Sequence, residues 1–280
     1  MIKKLLKISR PRFWLYLAGT YAVGYSLGIT NTSDFYNAQF FFYLLYFLIP
    51  ANFFLYGVND LFDSDTDQHN PKKTKKEHRA NQQTKKVTGI LILTILLASI
   101  ALFMIQDTTT NMLLAIFLGL SVMYSTPPIR FKATPILDFS SNILYGIPGF
   151  IGYYQSSQTL PDPYIILAVF FWTSAMHLFS AIPDIKPDKK ANIKTSAVWL
   201  GKNKSLFLCL LFWSITTIII TTYNIVLGLL ALAYPLYLLY IIFVHKYKNK
   251  KLIKLYWYYP YLNAIIGFIL WWYPVIPKLL

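Results

Sequence analysis

Charge is almost missing from nine long stretches of this 280-residue chain. They cover roughly 13–30, 39–58, 87–105, 111–126, 136–154, 164–182, 205–223, 225–244 and 257–275. A helix needs about 20 apolar residues to cross ~30 Å of hydrocarbon, and these stretches meet or approach that length. A backbone in lipid must satisfy its own polar groups, so the expectation is helix rather than open sheet. Composition agrees. Hydrophobic residues make up 56% and charged residues 13%, roughly half the charge that a soluble surface carries. Disorder, a coiled coil and a disulfide-stapled secreted fold are excluded. The one cysteine, Cys209, lies in the apolar run SLFLCLLFW and reads as a small hydrophobe.

The basic residues test this count of spans. Five lie at the N-terminus (Lys3, Lys4, Lys7, Arg10, Arg12). Seven follow span two (Lys72, Lys73, Lys75, Lys76, Arg79, Lys85, Lys86), and Arg130 and Lys132 follow span four. Six follow span six (Lys186, Lys189, Lys190, Lys194, Lys202, Lys204) and five follow span eight (Lys246, Lys248, Lys250, Lys251, Lys254). The loops after spans one, three, five and seven hold none, and Lys278 is the remaining one. Basic residues stay on the cytoplasmic side. The expected architecture is therefore an all-α integral membrane protein, with nine transmembrane helices in one bundle over residues 1–280. Its N-terminus is cytoplasmic and its C-terminus outside, in a multi-pass protein of the cell membrane. Lys3, Lys4 and Lys7 before an apolar run imitate a signal peptide, but no small-residue cleavage site follows, so the run reads as the first membrane helix. The net charge of +15 sits in short loops at one face, where it meets anionic membrane lipid. No nucleic-acid fold signature is present, and nucleic acid is not an expected partner.

The acids are few and placed unevenly. Asp34, Asp107 and Asp162 fall in outer loops, and Glu77 is in the lysine-rich inner loop. Asp138 is near the start of span five. The other six, Asp60, Asp63, Asp65, Asp67, Asp184 and Asp188, lie at the cytoplasmic ends of spans two and six. Asn59, Asp63 and Asp67 are spaced i, i+4, i+8, and Asp60 joins them at i+3 and i+7 to Asp63 and Asp67. On a continued helix these side chains share one face. Carboxylates about 5–6 Å apart repel by about 3 kcal/mol at an effective dielectric near 20. A helix tolerates this poorly without a cation, and an all-oxygen set suits Mg2+. Asp184 and Asp188 are again four apart, although Pro183 and Pro187 cast doubt on helicity there. Each cluster taken singly also reads as a helix cap or a partner for nearby lysines. Two at one face read as a functional site opening to the cytoplasm.

Between them comes YSTPPIRFKATPILD, where Tyr124, Ser125, Arg130 and Lys132 emerge from span four. Arg offers phosphate a planar fork of donors and Lys a point charge, though such cations also serve as ordinary membrane anchors. His69, His78 and His245 fall in loops, and His177, in span six, reads as a structural residue. No zinc, nicotinamide, P-loop or serine-hydrolase motif is present.

On these residues the chain resembles the UbiA-type membrane prenyltransferase superfamily. Asn59-Asp60-x-x-Asp63-x-x-x-Asp67 matches its first aspartate motif, Asp184-x-x-x-Asp188 its second, and YSTPPIRFK its basic segment. The resemblance implies Mg2+ held by Asn59, Asp63, Asp67, Asp184 and Asp188. It also implies an isoprenyl diphosphate bound with help from Asp60, Tyr124, Arg130 and Lys132. The four motif aspartates Asp63, Asp67, Asp184 and Asp188 would be catalytic. Departure of diphosphate would leave an allylic cation for a hydrophobic acceptor. RPRFWLYLAGTY, PANFFLYGVNDLFDSDTD and AMHLFSAIPDIKPD look most like the lycopene elongase branch. There, a C5 unit from dimethylallyl diphosphate adds to lycopene in C45/C50 carotenoid synthesis. Asn192 departs from that pattern where a glycine is common. A quinone-type aromatic or polyprenyl-lipid acceptor is the alternative. The competing classes are a cation-coupled secondary transporter and a CDP-alcohol phosphotransferase. The latter's DGxxAR signature is absent.

Overall fold

The computed structural model of the protein describes residues 6–62, 82–245 and 255–279. Among these residues there is helix and no strand. Helices α1 (Thr20–Gly28), α2 (Ala38–Leu48), α3 (Pro50–Phe62), α4 (Gln82–Leu102) and α5 (Thr108–Ser125) come first. Then follow α6 (Leu137–Ser140), α7 (Ile147–Ser157), α8 (Pro163–Ala181), α9 (Ile185–Lys190) and α10 (Ser196–Tyr223). The last are α11 (Ile225–Ala231), α12 (Ala233–His245) and α13 (Tyr259–Leu279). Seven helical stretches among the described residues are long and apolar enough to cross a membrane: Ala38–Phe62, Thr84–Leu102, Thr108–Ser125, Pro163–Lys190, Ser196–Tyr223, Ile225–Phe243 and Tyr259–Leu279.

The two expected spans outside that set, the first and the fifth, are wound unevenly. The first passes from a 3-10 turn (Pro11–Phe13) through five π-helical residues (Leu15–Gly19) into α1. In the fifth, α6 is one turn long, a 3-10 stretch (Ser141–Tyr145) follows, and α7 begins after Gly146. Pro148 falls in the first turn of α7, where a missing N–H costs nothing. A break also divides the second span, at Pro50. Asn52, with no exposed surface, repairs it by donating its amide to the carbonyls of Phe47 (2.6 Å) and Leu48 (3.1 Å). Lipid could not supply those donors.

Backbone contacts divide the chain into two compact units. The first comprises Met1–Arg130, Ile147–Leu160 and Trp271–Leu280. Within it α1 lies directly against α7. Lipid tails are as apolar as leucine, so such helices gain little from the hydrophobic effect and gain instead from close packing of small residues. Gly24 faces Gly149 and Gly28 faces Tyr153 and Ser156, and a Cβ at Gly24 would overlap the Gly149 carbonyl. A Cβ at Gly152 would overlap the Tyr21 carbonyl. The seam is closed by Tyr21, whose hydroxyl donates to Gln155 Oε1 at 2.9 Å. Aromatic rings fill the remaining space. Tyr25 sits 4.7 Å from Phe40, and Tyr21 5.5 Å from Phe47, between ring centroids.

The second unit comprises Phe131–Gly146 and Pro161–Leu270. Its spine is α8 against α10. Thr216 donates to the Ala168 carbonyl (3.0 Å) and Cys209 to that of Ala175 (3.5 Å), so the pair runs antiparallel. Cys209 is fully buried, as its apolar surroundings in sequence suggested. Trp213 stacks on Tyr259 at 5.5 Å and packs against Phe179 at 5.8 Å. Gly201, at φ 74, bends α10 near its start, a conformation in which glycine alone is unstrained.

Gly152→Leu should wedge α1 and α7 apart and cost about 1–3 kcal/mol or more. Thermal unfolding in detergent micelles should show a clearly lowered midpoint. Gly89→Ala, where an added Cβ meets nothing within 4 Å, should not lower it.

Candidate functional site

The last turn of α3 carries Asn59 and Asp60. Asn59 is half-buried, and its Oδ1 is buried without a hydrogen-bond partner. A buried amide oxygen left in that state costs about 1–3 kcal/mol. It is also a hard oxygen ligand, so it fits a magnesium ion. Asp60 is 6% exposed and lies 3.1 Å from the Arg10 guanidinium. Tyr56 is one turn earlier on the same face, and Arg10 stacks 4.6 Å above its ring. Arg10 reaches this position from a left-handed backbone conformation (φ 50) just before Pro11. In sequence Arg10 is one of five N-terminal basic residues, and the pairing is not apparent there. The available signal is only that a carboxylate at a buried helix position demands a cation. Asp63 and Asp67 lie outside the described residues.

The second aspartate segment continues the path of α8. A 3-10 turn (Ile182–Asp184) leads straight into α9, so the two prolines do not stop the winding that sequence placed in doubt. Pro183 and Pro187 both occupy first turns, where no intrahelical donor is needed. Asp184 and Asp188 are half-buried, while Lys186, Lys189 and Lys190 are exposed. The end of α9 is fixed by two backbone bonds. Ile193 N–H reaches the Asp188 carbonyl (2.9 Å), and Asn192 N–H reaches that of Lys189 (3.3 Å). This pattern needs a left-handed residue just past the helix. Asn192 supplies it at φ 54, which explains how asparagine stands where glycine is common.

The basic segment begins as α5 ends. Tyr124 is half-buried in its last turn. Ser125 Oγ and Thr126 Oγ1 are buried with no hydrogen-bond partner. The Pro127–Pro128 peptide is cis, and Arg130 turns back so that its N–H meets the Thr126 carbonyl at 3.0 Å. Arg130 adopts φ 40. Lys132 follows in a 3-10 turn (Phe131–Ala133), and both cations are half-buried.

Asp34, Asp107 and Asp162 are structural. Asp107 and Asp162 cap α5 and α8, accepting from Thr110 N–H and Tyr164 N–H at 2.8 Å each. Backbone donation from Asn31 holds the Asp34 carboxyl below the usual range. Burial pushes Asp107 up, yet the Thr110 hydrogen bonds outweigh it and the net direction is down. All three carry charge as part of the loops they order. Among the described residues, no three His, Cys, Asp or Glu side chains gather into a metal-holding group.

The chain belongs to the UbiA prenyltransferase family, whose profile matches residues 17–261. It is 39% identical to a lycopene elongase/hydratase of Haloarcula japonica, over 95% of this chain and 88% of that one. It is 37% identical to that of Halobacterium salinarum, over 96% of both chains. A solved UbiA homologue from Archaeoglobus fulgidus, bound to GPP and Mg2+, shares the fold with a TM-score of 0.74 at 23% identity, covering 99% of this chain and 100% of that one. A homologue from Aeropyrum pernix K1 does so with a TM-score of 0.71 at 17% identity, covering 97% and 99%. The protein is a multi-pass membrane prenyltransferase, most like the carotenoid-directed branch.

Removing Arg10 would leave Asp60 buried without its ion pair. Arg10→Ala should cost about 3–5 kcal/mol, measured by denaturant unfolding in mixed micelles. The double variant Arg10→Ala/Asp60→Ala should cost less than the single, because the buried carboxylate is removed together with its guanidinium partner.

Proposed function

We propose that this protein transfers the C5 unit of dimethylallyl diphosphate to lycopene, making C45 and C50 carotenoids at the cytoplasmic side of the cell membrane. The observation that supports the acceptor best is likeness to three lycopene elongase/hydratases at 37–39% identity over 95–96% of this chain. For the donor, support comes from the two aspartate segments and the basic segment. Related structures also carry GPP or DMAPP with Mg2+. The topology that goes with this reading has nine crossings, with the N-terminus cytoplasmic and the C-terminus outside. It is supported by the alternation of lysine-rich and lysine-free loops in the sequence.

In this mechanism Asn59, Asp63, Asp67, Asp184 and Asp188 hold Mg2+, and the buried, unpartnered Asn59 Oδ1 fits that role. The bound metal supplies Lewis-acid neutralisation of the leaving diphosphate. Tyr124, Arg130 and Lys132 donate to the diphosphate oxygens and stabilise charge as it grows there. Asp60, paired with Arg10 and next to Asn59 in α3, takes part in binding the donor end. The allylic C–O bond breaks and its electron pair leaves with diphosphate. A terminal π-bond of lycopene then attacks the allylic cation, and a carbon–carbon bond forms. The resulting cation is discharged by loss of a proton or addition of water.

Expression in a lycopene-accumulating host should convert lycopene into species heavier by one or two C5 units, read by mass spectrometry. Untouched lycopene together with prenylation of a quinone-type acceptor would assign the acceptor to the aromatic class instead. Asp63→Ala and Asp184→Ala should each lower turnover by about a hundredfold or more while the protein still inserts. Excess EDTA should stop the wild-type reaction and added Mg2+ restore it, and turnover indifferent to chelation would refute the metal's role.

A further inference from the structure

One buried carboxylate takes no part in the chemistry above. Asp138, on α6, has no exposed surface. It accepts three hydrogen bonds: from Ser196 N–H at 2.7 Å, from the Ser196 hydroxyl at 2.5 Å and from Phe139 N–H at 2.9 Å. The same Ser196 oxygen accepts from Ile136 N–H at 2.7 Å. The Asn142 amide holds the Asp138 carbonyl at 2.6 Å. Ser196 is the first residue of α10, so the carboxylate sits at a helix N-terminus, where negative charge is favoured.

This cluster is held under strain. Ile136 adopts φ 72 with a branched side chain, a region such residues rarely enter. Conformations of that kind survive only when their surroundings over-determine them. Here the determinants are the Ser196 oxygen at one end and Ser140 N–H on the Ile136 carbonyl (3.0 Å) at the other.

The two stretches that this cluster joins both carry residues of the donor site. Lys132 precedes Asp138 by six positions in the stretch that includes Ile136. On the other side, Ser196 follows Ile193, whose N–H is bonded to the Asp188 carbonyl. His177, on α8, lies within electrostatic reach of both Asp138 and Asp184. We infer that Asp138 is a positioning residue of the donor site. Through Ser196 it fixes the Lys132 stretch against the Asp184–Asp188 stretch, and so sets the spacing between phosphate-binding cation and metal-binding carboxylates. The inference rests on the diphosphate reading of those residues. Asp138 itself touches no substrate, because its oxygens are occupied by the protein's own donors.

The test compares wild type with Ser196→Ala and Asp138→Asn in detergent or nanodiscs. Ser196→Ala is the milder change, since it leaves the backbone donor in place. KM for dimethylallyl diphosphate and Ki for inorganic pyrophosphate should both rise about tenfold in Ser196→Ala, and further in Asp138→Asn. KM for lycopene should stay unchanged, and the thermal midpoint of Ser196→Ala should fall only modestly, by what one lost buried hydrogen bond costs. Unchanged diphosphate KM and pyrophosphate Ki in both variants would overturn the inference. Parallel loss of thermal midpoint, kcat and affinity for both substrates would overturn it as well, because a merely structural clamp behaves that way. A wild-type enzyme that neither uses dimethylallyl diphosphate nor is inhibited by pyrophosphate would instead overturn the reading beneath it.

Discussion

A carboxylate taken out of water must be met by a cation or by several donors, or it will not stay ionised. Several buried polar groups of this molecule answer that demand. Asp60 is met by Arg10, which also lies over Tyr56. Asp138 is met by the Ser196 backbone and hydroxyl. Asn59 shows the converse, a neutral oxygen buried with nothing to accept. The first two sites are complete within the protein. The third, set beside the aspartate segment, leaves an oxygen free to meet a ligand.

The scaffold follows from the other consequence of a lipid solvent. Helices that cannot be pressed together by water must approach closely to cohere. The glycines of α1 and α7 allow it in the first unit. In the second, hydroxyl and thiol donors on α10 reach carbonyls of α8. Breaks in the helices are tolerated where a side chain supplies the lost bond, as Asn52 does beside Pro50.

Seven of the nine apolar runs were legible as long helices because length and the absence of charge are read directly from sequence. The first and fifth were not legible in detail. Their winding depends on contacts such as Ser196 with Ile136, sixty positions apart, which no local pattern announces. The Asp184–Asp188 turn misled in a similar way. Proline spacing suggested a break, but both prolines fall where a helix start accepts them. Asn59, Asp184 and Asp188 were legible as candidates through their spacing and surroundings. Arg10 and Asp138 were not, since each acts through a partner distant in sequence, and a lone Arg among basic neighbours looks like any other anchor.

The Arg10–Asp60 pair has a practical corollary for anyone handling the protein. Arg10 ties the stretch before α1 to α3, and Trp14 reinforces it by donating to Ser9. Trimming past Arg10 to tidy an expression clone would remove the counter-ion of a buried acid, and poor yield from such a clone would say nothing about the enzyme's chemistry.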